Sequence, residues 1–154
     1  MIIIDDRGFR REPQDDASQM AGPLAVVPLG ELLAGERSVP QQAGCLAADV
    51  ATPVSAYAHL LDHFALIVIP FAGFGDGRGF SLATQLRRAG FAGTLRASGH
   101  VIPDQYAHAR RCGFDEVAIS DEQARRQLEA QWLAEVPKIG RTYQNRLRQA
   151  AHAA

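Results

Sequence analysis

Several things are scarce in this chain of 154 residues, and each scarcity excludes a chemistry. There are two cysteines, Cys45 and Cys112, 67 positions apart and in no CxxC pair. An iron–sulfur cluster or a Cys-rich zinc site held by this chain alone is therefore not expected, and the thiols read as reduced. Lys138 is the only lysine and stands outside any GxxxxGK[ST] context, so there is no Walker A loop. GxGxxG and GxSxG are also missing, which removes the usual dinucleotide fingerprint and the nucleophile elbow. No cofactor site of a known pattern is expected. The longest apolar run, around Phe64 to Ala72, falls far short of the ~20 residues that span a bilayer. The opening Met-Ile-Ile-Ile-Asp-Asp lacks the basic start of a signal peptide, so a cytoplasmic location is expected. A formal net charge of −1 favours neither nucleic acid nor an anionic membrane.

What is present is a chain with 47% hydrophobic and 21% charged residues, the composition of a packed domain. Residues 1–154 read as a single α/β domain. Short β-type runs at Met1 to Asp5, Leu24 to Val27, Cys45 to Ala48, Phe64 to Ile69, Thr94 to Ser98 and Glu116 to Ile119 alternate with helical patterns. The first, followed by the turn Asp6-Arg7-Gly8, reads as a hairpin or edge strand, and 1–22 as hairpin plus linker. Pro28 is expected just past the second strand, with a short helix over Leu29 to Ala34. Thr52-Pro53 has the signature of a helix start, Thr as N-cap and Pro at N1, with Val54, Tyr57, Leu60 and Leu61 on the buried side.

Further helices are expected over Ser81 to Ala89, from Pro103 to Cys112, and after the capping box Ser120-Asp121-Glu122-Gln123, the last burying Leu128, Trp132 and Leu133. Residues 136–154 read as a basic helical tail, with Lys138, Arg141, Arg146 and Arg148 and no acid: a solvated tail or a docking element for an acidic partner. Alternation at this pitch predicts a mainly parallel sheet of roughly five strands with helices on both faces; a partial βα barrel is the alternative.

An internal echo supports that parsing. Leu86-Arg-Arg-Ala-Gly-Phe91 and Ala109-Arg-Arg-Cys-Gly-Phe114 share an order, and their glycines, Gly90 and Gly113, lie 23 residues apart. Both read as helix stops of the Schellman type.

Chemistry concentrates in two stretches at the carboxyl ends of predicted strands, where parallel α/β folds place ligands. The first, after Ile69, carries Gly73, Gly75, Asp76, Gly77, Arg78, Gly79 and Ser81. The second carries Arg96, Gly99, His100, Asp104 and Gln105. Glycine-rich backbone, a helix start and two guanidinium groups suit a small oxyanion. On that reading Gly75, Gly77, Arg78, Gly79, Ser81, Arg96, Gly99 and Gln105 bind the anion, and His100, Asp104 or Asp76 is the candidate acid or base. The competing reading is structural: Asp76 caps the turn, Arg78 pairs with Asp104, and the glycines permit a tight loop. His59 and His63 would share a helical face, but no third ligand is evident and no metal is expected. Cys112, at a helix end between dipole and arginines, reads as structural.

Taken together and in order, Asp76-Gly-Arg-Gly-Phe-Ser81, Leu95-Arg-Ala97 with Gly99, Asp104-Gln105 and Arg110-Arg-Cys-Gly-Phe-Asp115 resemble a bacterial family catalogued as domain of unknown function 934. The resemblance covers roughly Ala65 to Ile119. The family is described as an oxidoreductase of sulfite reduction and tends to be encoded beside assimilatory sulfite reductase. What the resemblance implies is an accessory role in sulfite or sulfate reduction, with sulfite reductase or another enzyme of sulfate assimilation as partner; a small enzyme acting on an anionic sulfur or phosphate compound is the alternative. It supplies no catalytic residue to carry over. In the family pattern an acid usually stands at the place of His100 and an arginine at that of Pro103. The electrons of any reduction would have to reside in another protein. Self-association is left open.

Overall fold

A computed structural model of the chain describes residues 1–12, 24, 26–41, 43–141 and 150–151. The expected linker, Glu12 to Gly22, apart from Glu12 itself, and most of the basic tail lie outside these residues, Arg146 and Arg148 included.

One seven-stranded sheet forms the frame. Its strands are β1 (Ile2–Asp5), β2 (Gly8–Arg11), β3 (Val26–Pro28), β4 (Gly44–Ala47), β5 (Phe64–Phe71), β6 (Thr94–Gly99) and β7 (Glu116–Ile119), in the order β2-β1-β7-β6-β5-β4-β3. β3 to β7 are parallel and sequential, while β1 runs antiparallel to both β7 and β2. The sheet is thus mixed. It has two strands more than expected, because the N-terminal hairpin joins the parallel core along β7. Pro28 closes β3 from within, where its missing N–H is tolerated on an edge strand.

The sequential order has a consequence for the helices. Right-handed crossovers that always advance in one direction place every connecting helix on the same side. The described core agrees. In register across the sheet lie Val27, Leu46, Ile67 and Leu95, then Ile69, Ala97, Val117 and Ile4. All belong to one hydrophobic cluster with Leu29 and Leu32 of α1 (Leu29–Leu33), Leu82, Ala83 and Leu86 of α2 (Arg78–Arg88), Tyr106 and Ala109 of α3 (Tyr106–Cys112), and Trp132. Helices on both faces, the arrangement expected from sequence, are therefore replaced among the described residues by helices on one. This winding is that of a βα barrel sector in an open sheet.

The opposite face carries the row Val68, Arg96 and Glu116. Arg96 donates to Glu116 Oε1 at 2.7 Å and to Glu12 Oε1 at 2.5 Å, and Arg10 also reaches Glu116. Arginine in mid-strand survives because its carboxylate partners come from the neighbouring strand and from the end of β2.

Two expected helices take another form. Over Val54–Ala56 and Ala58–His63 the chain makes 3-10 turns. The start is displaced by one residue: the Asp49 carboxylate accepts from Ala51 N and from the Thr52 hydroxyl, both at 2.6 Å, and Pro53 takes the N-cap place with no side-chain cap bond. Val54, Tyr57 and Leu61 are still buried. After Ser120, whose Oγ accepts from Gln123 N at 3.1 Å, the expected single helix divides into α4 (Asp121–Arg126) and α5 (Glu129–Leu133). The break at Gln127 turns Trp132 edge-on to Tyr106, centroids 5.9 Å apart, and leaves Leu128 and Leu133 exposed.

The Gly-Phe echo is real structure. Phe91 N donates to Leu86 O and Phe114 N to Ala109 O, each at 3.1 Å, with Gly90 and Gly113 in the left-handed region: two Schellman stops. No helix of the described residues is long and apolar enough to cross a membrane.

Candidate functional site

The carboxyl ends of β4 to β7 line one edge of the sheet, and the loops leaving them carry nearly all of the expected site residues. Because the strand order never reverses, these loops lie side by side with no crevice of the kind formed at a switch point. Two shallow clefts result.

The first lies between the loop after β4 and the start of α2, with a volume of about 350 Å³, and is lined by Thr52, Arg78, Ser81 and Gln85 among others. α2 begins at Arg78, three residues earlier than the pattern suggested, so Arg78, Ser81 and Gln85 fall at i, i+3 and i+7 on one helical face. Arg78 is gripped by its neighbour. Asp76 Oδ1 accepts from Arg78 N at 3.1 Å and Nε at 2.9 Å, and Oδ2 from Nη2 at 2.8 Å. Those bonds hold the Asp76 carboxyl down at about 2, so it is ionised across the physiological range. Asp76 thus closes the turn that leads into α2, whose N-cap is Gly77, and Arg78 pairs with Asp76 and not with Asp104. An anion entering this cleft would share the guanidinium with a resident carboxylate.

The second cleft, about 330 Å³, lies on the other side of the same loop and is lined by Phe74, His100, Ile102, Gln123 and Arg126 among others. His100 is exposed at the end of β6, its N–H donating to Phe71 O at 3.2 Å. Gln105 is a strut: Nε2 donates to Phe74 O at 2.5 Å while Oε1 accepts from Ile102 N at 3.2 Å, tying the loop after β5 to the loop after β6. Asp104 is exposed at the 3-10 turn that leads into α3.

The glycines divide as well. A Cβ on Gly99, at φ +116°, would stand 2.5 Å from Phe71 O, and one on Gly79 would strike the Phe71 ring. Those two permit packing of the loop roots. Gly75 and Gly77 have open space around the Cβ position and remain accessible to a ligand.

Of the expected residues, then, the fold brings Arg78 and Ser81 together at the first cleft, with Asp76 bound to Arg78, and puts His100 at the second. Gln105 and Gly99 join the two loops. Arg96 sits in mid-strand, engaged by Glu116 and Glu12. Thr52 and Gln85 were missed. Gln85 was findable from its spacing to Arg78 and Ser81, whereas Thr52 arrives from a strand two elements earlier. His59 and His63 are exposed on a 3-10 turn, where i and i+4 no longer stack. Among the described residues no group of three or more His, Cys, Asp or Glu is placed to hold a metal ion.

Comparison with known proteins gives one match. Residues 45–153 match the family of bacterial proteins of unknown function DUF934, and the chain belongs to that family. No curated protein and no solved structure matches it.

Proposed function

We propose, from membership of that family and the geometry of the first cleft, that the chain is a cytoplasmic accessory protein of assimilatory sulfite or sulfate reduction that binds a small oxyanion. The observation that carries the binding part is the convergence of Arg78, Ser81, Gln85 and Thr52 on one cleft at the start of α2. A guanidinium, a hydroxyl and an amide along one helical face are donors matched to a tetrahedral or pyramidal anion, while the Thr52 hydroxyl across the cleft gives its proton to Asp49. The sulfur connection and the reductase partner come from the family resemblance. Acid/base chemistry by His100 with Arg78 has no shared cavity to work in, since the two face different clefts.

Calorimetric titration with sulfite, sulfate and phosphate at fixed ionic strength tests the binding. Arg78→Ala is expected to weaken the preferred anion at least tenfold with the thermal midpoint in buffer unchanged. Equal affinity in the variant, or no heat from any of the three at millimolar concentration, would remove the site. Co-purification of sulfite reductase with the tagged full chain tests the partnership separately.

A further inference from the structure

The two walls of the first cleft differ in the direction of the hydrogen bonds they offer a ligand. On the α2 wall, Arg78 and Ser81 bring N–H and O–H donors, and Gln85 brings an amide that turns either way. On the wall formed by the loop after β4, Thr52 is the polar side chain among Val50, Ala51, Thr52 and Pro53. Its proton is committed. Thr52 Oγ1 donates to Asp49 Oδ2 at 2.6 Å, while Asp49 Oδ1 accepts from Ala51 N at 2.6 Å. These bonds, the threonine's first, hold the Asp49 carboxyl below its usual range. An ionised carboxylate has no proton to give, so the one between the two oxygens belongs to Thr52. What Thr52 Oγ1 has left for a ligand is lone pairs.

The charges act in the same sense. Asp76 engages the Arg78 guanidinium through Nε and Nη2, and Asp49 has no arginine or lysine bonded to it among the described residues. One cation against two carboxylates is a weak field for a dianion. An oxyanion without a proton has only acceptors to offer: the α2 wall would hold it, and at Thr52 oxygen would face oxygen. One that keeps a proton accepts from Arg78 and Ser81 and donates its own O–H to Thr52 Oγ1. Hydrogensulfite and hydrogen phosphate differ from sulfate in this respect.

We propose that the first cleft selects proton-bearing oxyanions, hydrogensulfite or hydrogen phosphate, over fully deprotonated ones such as sulfate. Thr52 is the acceptor that determines the preference, and Asp49 is the positioning residue that turns its hydroxyl. This rests on the reading of the first cleft as the anion site. Among sulfur anions it makes the site one for sulfite and not for sulfate.

Calorimetric titration of the full chain at pH 6 and fixed ionic strength tests the selection, with phosphate, arsenate and sulfite set against sulfate and selenate. Phosphate and sulfite as separate arms distinguish the two sources of such an anion, and tighter binding of either supports the proposal. A closed site built around a ligand hydroxyl rejects the analogue that lacks it by about 10⁴-fold; in a cleft open to water a part of that survives, and a preference of at least about tenfold for phosphate over sulfate is expected. Thr52→Val keeps the shape and the Asp49 charge but removes the acceptor, and should weaken phosphate about tenfold with sulfate unchanged. A preference that came from charge alone would survive in that variant. In Asp49→Asn the amide N–H donates to Thr52 Oγ1 and frees the hydroxyl proton for the cleft, so sulfate should gain about tenfold on phosphate. Thermal midpoints of both variants in anion-free buffer should match the parent, which shows that they are folded. Comparable binding of phosphate and sulfate by the parent, or an unchanged preference in either variant, overturns the proposal and leaves an anion site in place. No binding of any of these anions, or indifference to Arg78→Ala, removes the site itself and the selection with it.

Discussion

Replacing Arg87 by alanine should destabilise the protein as much as truncating a core leucine does, although the arginine is only partly buried. The guanidinium donates to Phe91 O and Gly93 O through Nη1, both at 2.8 Å, to Gly113 O through Nε and Nη2, and to Asp115 Oδ2 at 2.7 Å. Its stem fills the space beside Gly113 where a Cβ would otherwise stand. One side chain thus joins the end of α2, the turn into β6 and the turn into β7. Three carbonyls lose a charged donor in Arg87→Ala. Bonds to charged groups are worth about 1.5–3 kcal/mol when buried. This side chain keeps 27% exposure, so water can reach the vacated oxygens, and about 1 kcal/mol for each carbonyl is the appropriate scale. The pair with Asp115, whose side chain is 45% exposed, adds less than about 1 kcal/mol. A total loss of about 3–4 kcal/mol follows, against the roughly 5–15 kcal/mol that holds an ordinary domain folded. In a chain of this size the thermal midpoint should fall by roughly 8–15 °C. Lysine in its place restores the charge but not the fork, and is expected to recover no more than about 1 kcal/mol. The exposed neighbour Arg88 supplies the control, at under about 0.5 kcal/mol for Arg88→Ala. Urea unfolding of the three variants decides the matter. If Arg87→Ala lies within about 1 kcal/mol of Arg88→Ala, the clamp does not hold these turns.

The remaining predictions concern acid stability and the two kinds of glycine. Asp6 binds Arg110 Nε and Nη2 at 2.9 and 2.8 Å and the Tyr106 hydroxyl at 2.6 Å; the Arg110 bonds above all hold its carboxyl below the usual range. A depressed folded value stabilises the native state above the unfolded value near 4, and that stability is lost as pH falls through the folded value. Asp6→Asn should therefore narrow the difference in urea midpoint between pH 6 and pH 3; an unchanged difference would assign the acid loss elsewhere. Gly99→Ala forces a Cβ to within 2.5 Å of a backbone oxygen at positive φ and should cost more than about 2 kcal/mol. Gly75→Ala meets nothing within 4 Å and should stay within about 0.5 kcal/mol of the parent while it impairs anion binding if the ligand touches the backbone there; similar stabilities for the two would refute the division.

Much of the fold was legible because its signals are local. The strands at Phe64 and Thr94 announce themselves as apolar runs between turn residues, and Gly90 and Gly113 mark helix ends because only a residue without Cβ takes the left-handed conformation cheaply. The echo between Leu86 and Phe91 and between Ala109 and Phe114 extends to the hydrogen bonds, since Arg87 and Arg110 each donate to the carbonyl of the phenylalanine four residues on. Where a local signal had a competitor, the pattern misled. Thr52-Pro53 reads as a helix start with Thr52 as its cap, whereas Asp49 takes the threonine hydroxyl and Pro53 stands at the N-cap; the run after Ser120 reads as one helix until Trp132 is drawn against Tyr106.

The sequence by itself determined the alternation of strand and helix, the family, the two glycine stops and the carboxylate at the start of α2, each encoded within a few neighbouring residues. Tertiary structure alone decided three further things. It chose the strand order, and with it the single helical layer, because pairing depends on which apolar face meets which across the sheet. It sent Arg96 to Glu116 and parted Arg78 from His100, dividing one expected site between two clefts. It also brought Thr52 across to Arg78, because the loop after β4 and the start of α2 meet only once β4 and β5 have paired.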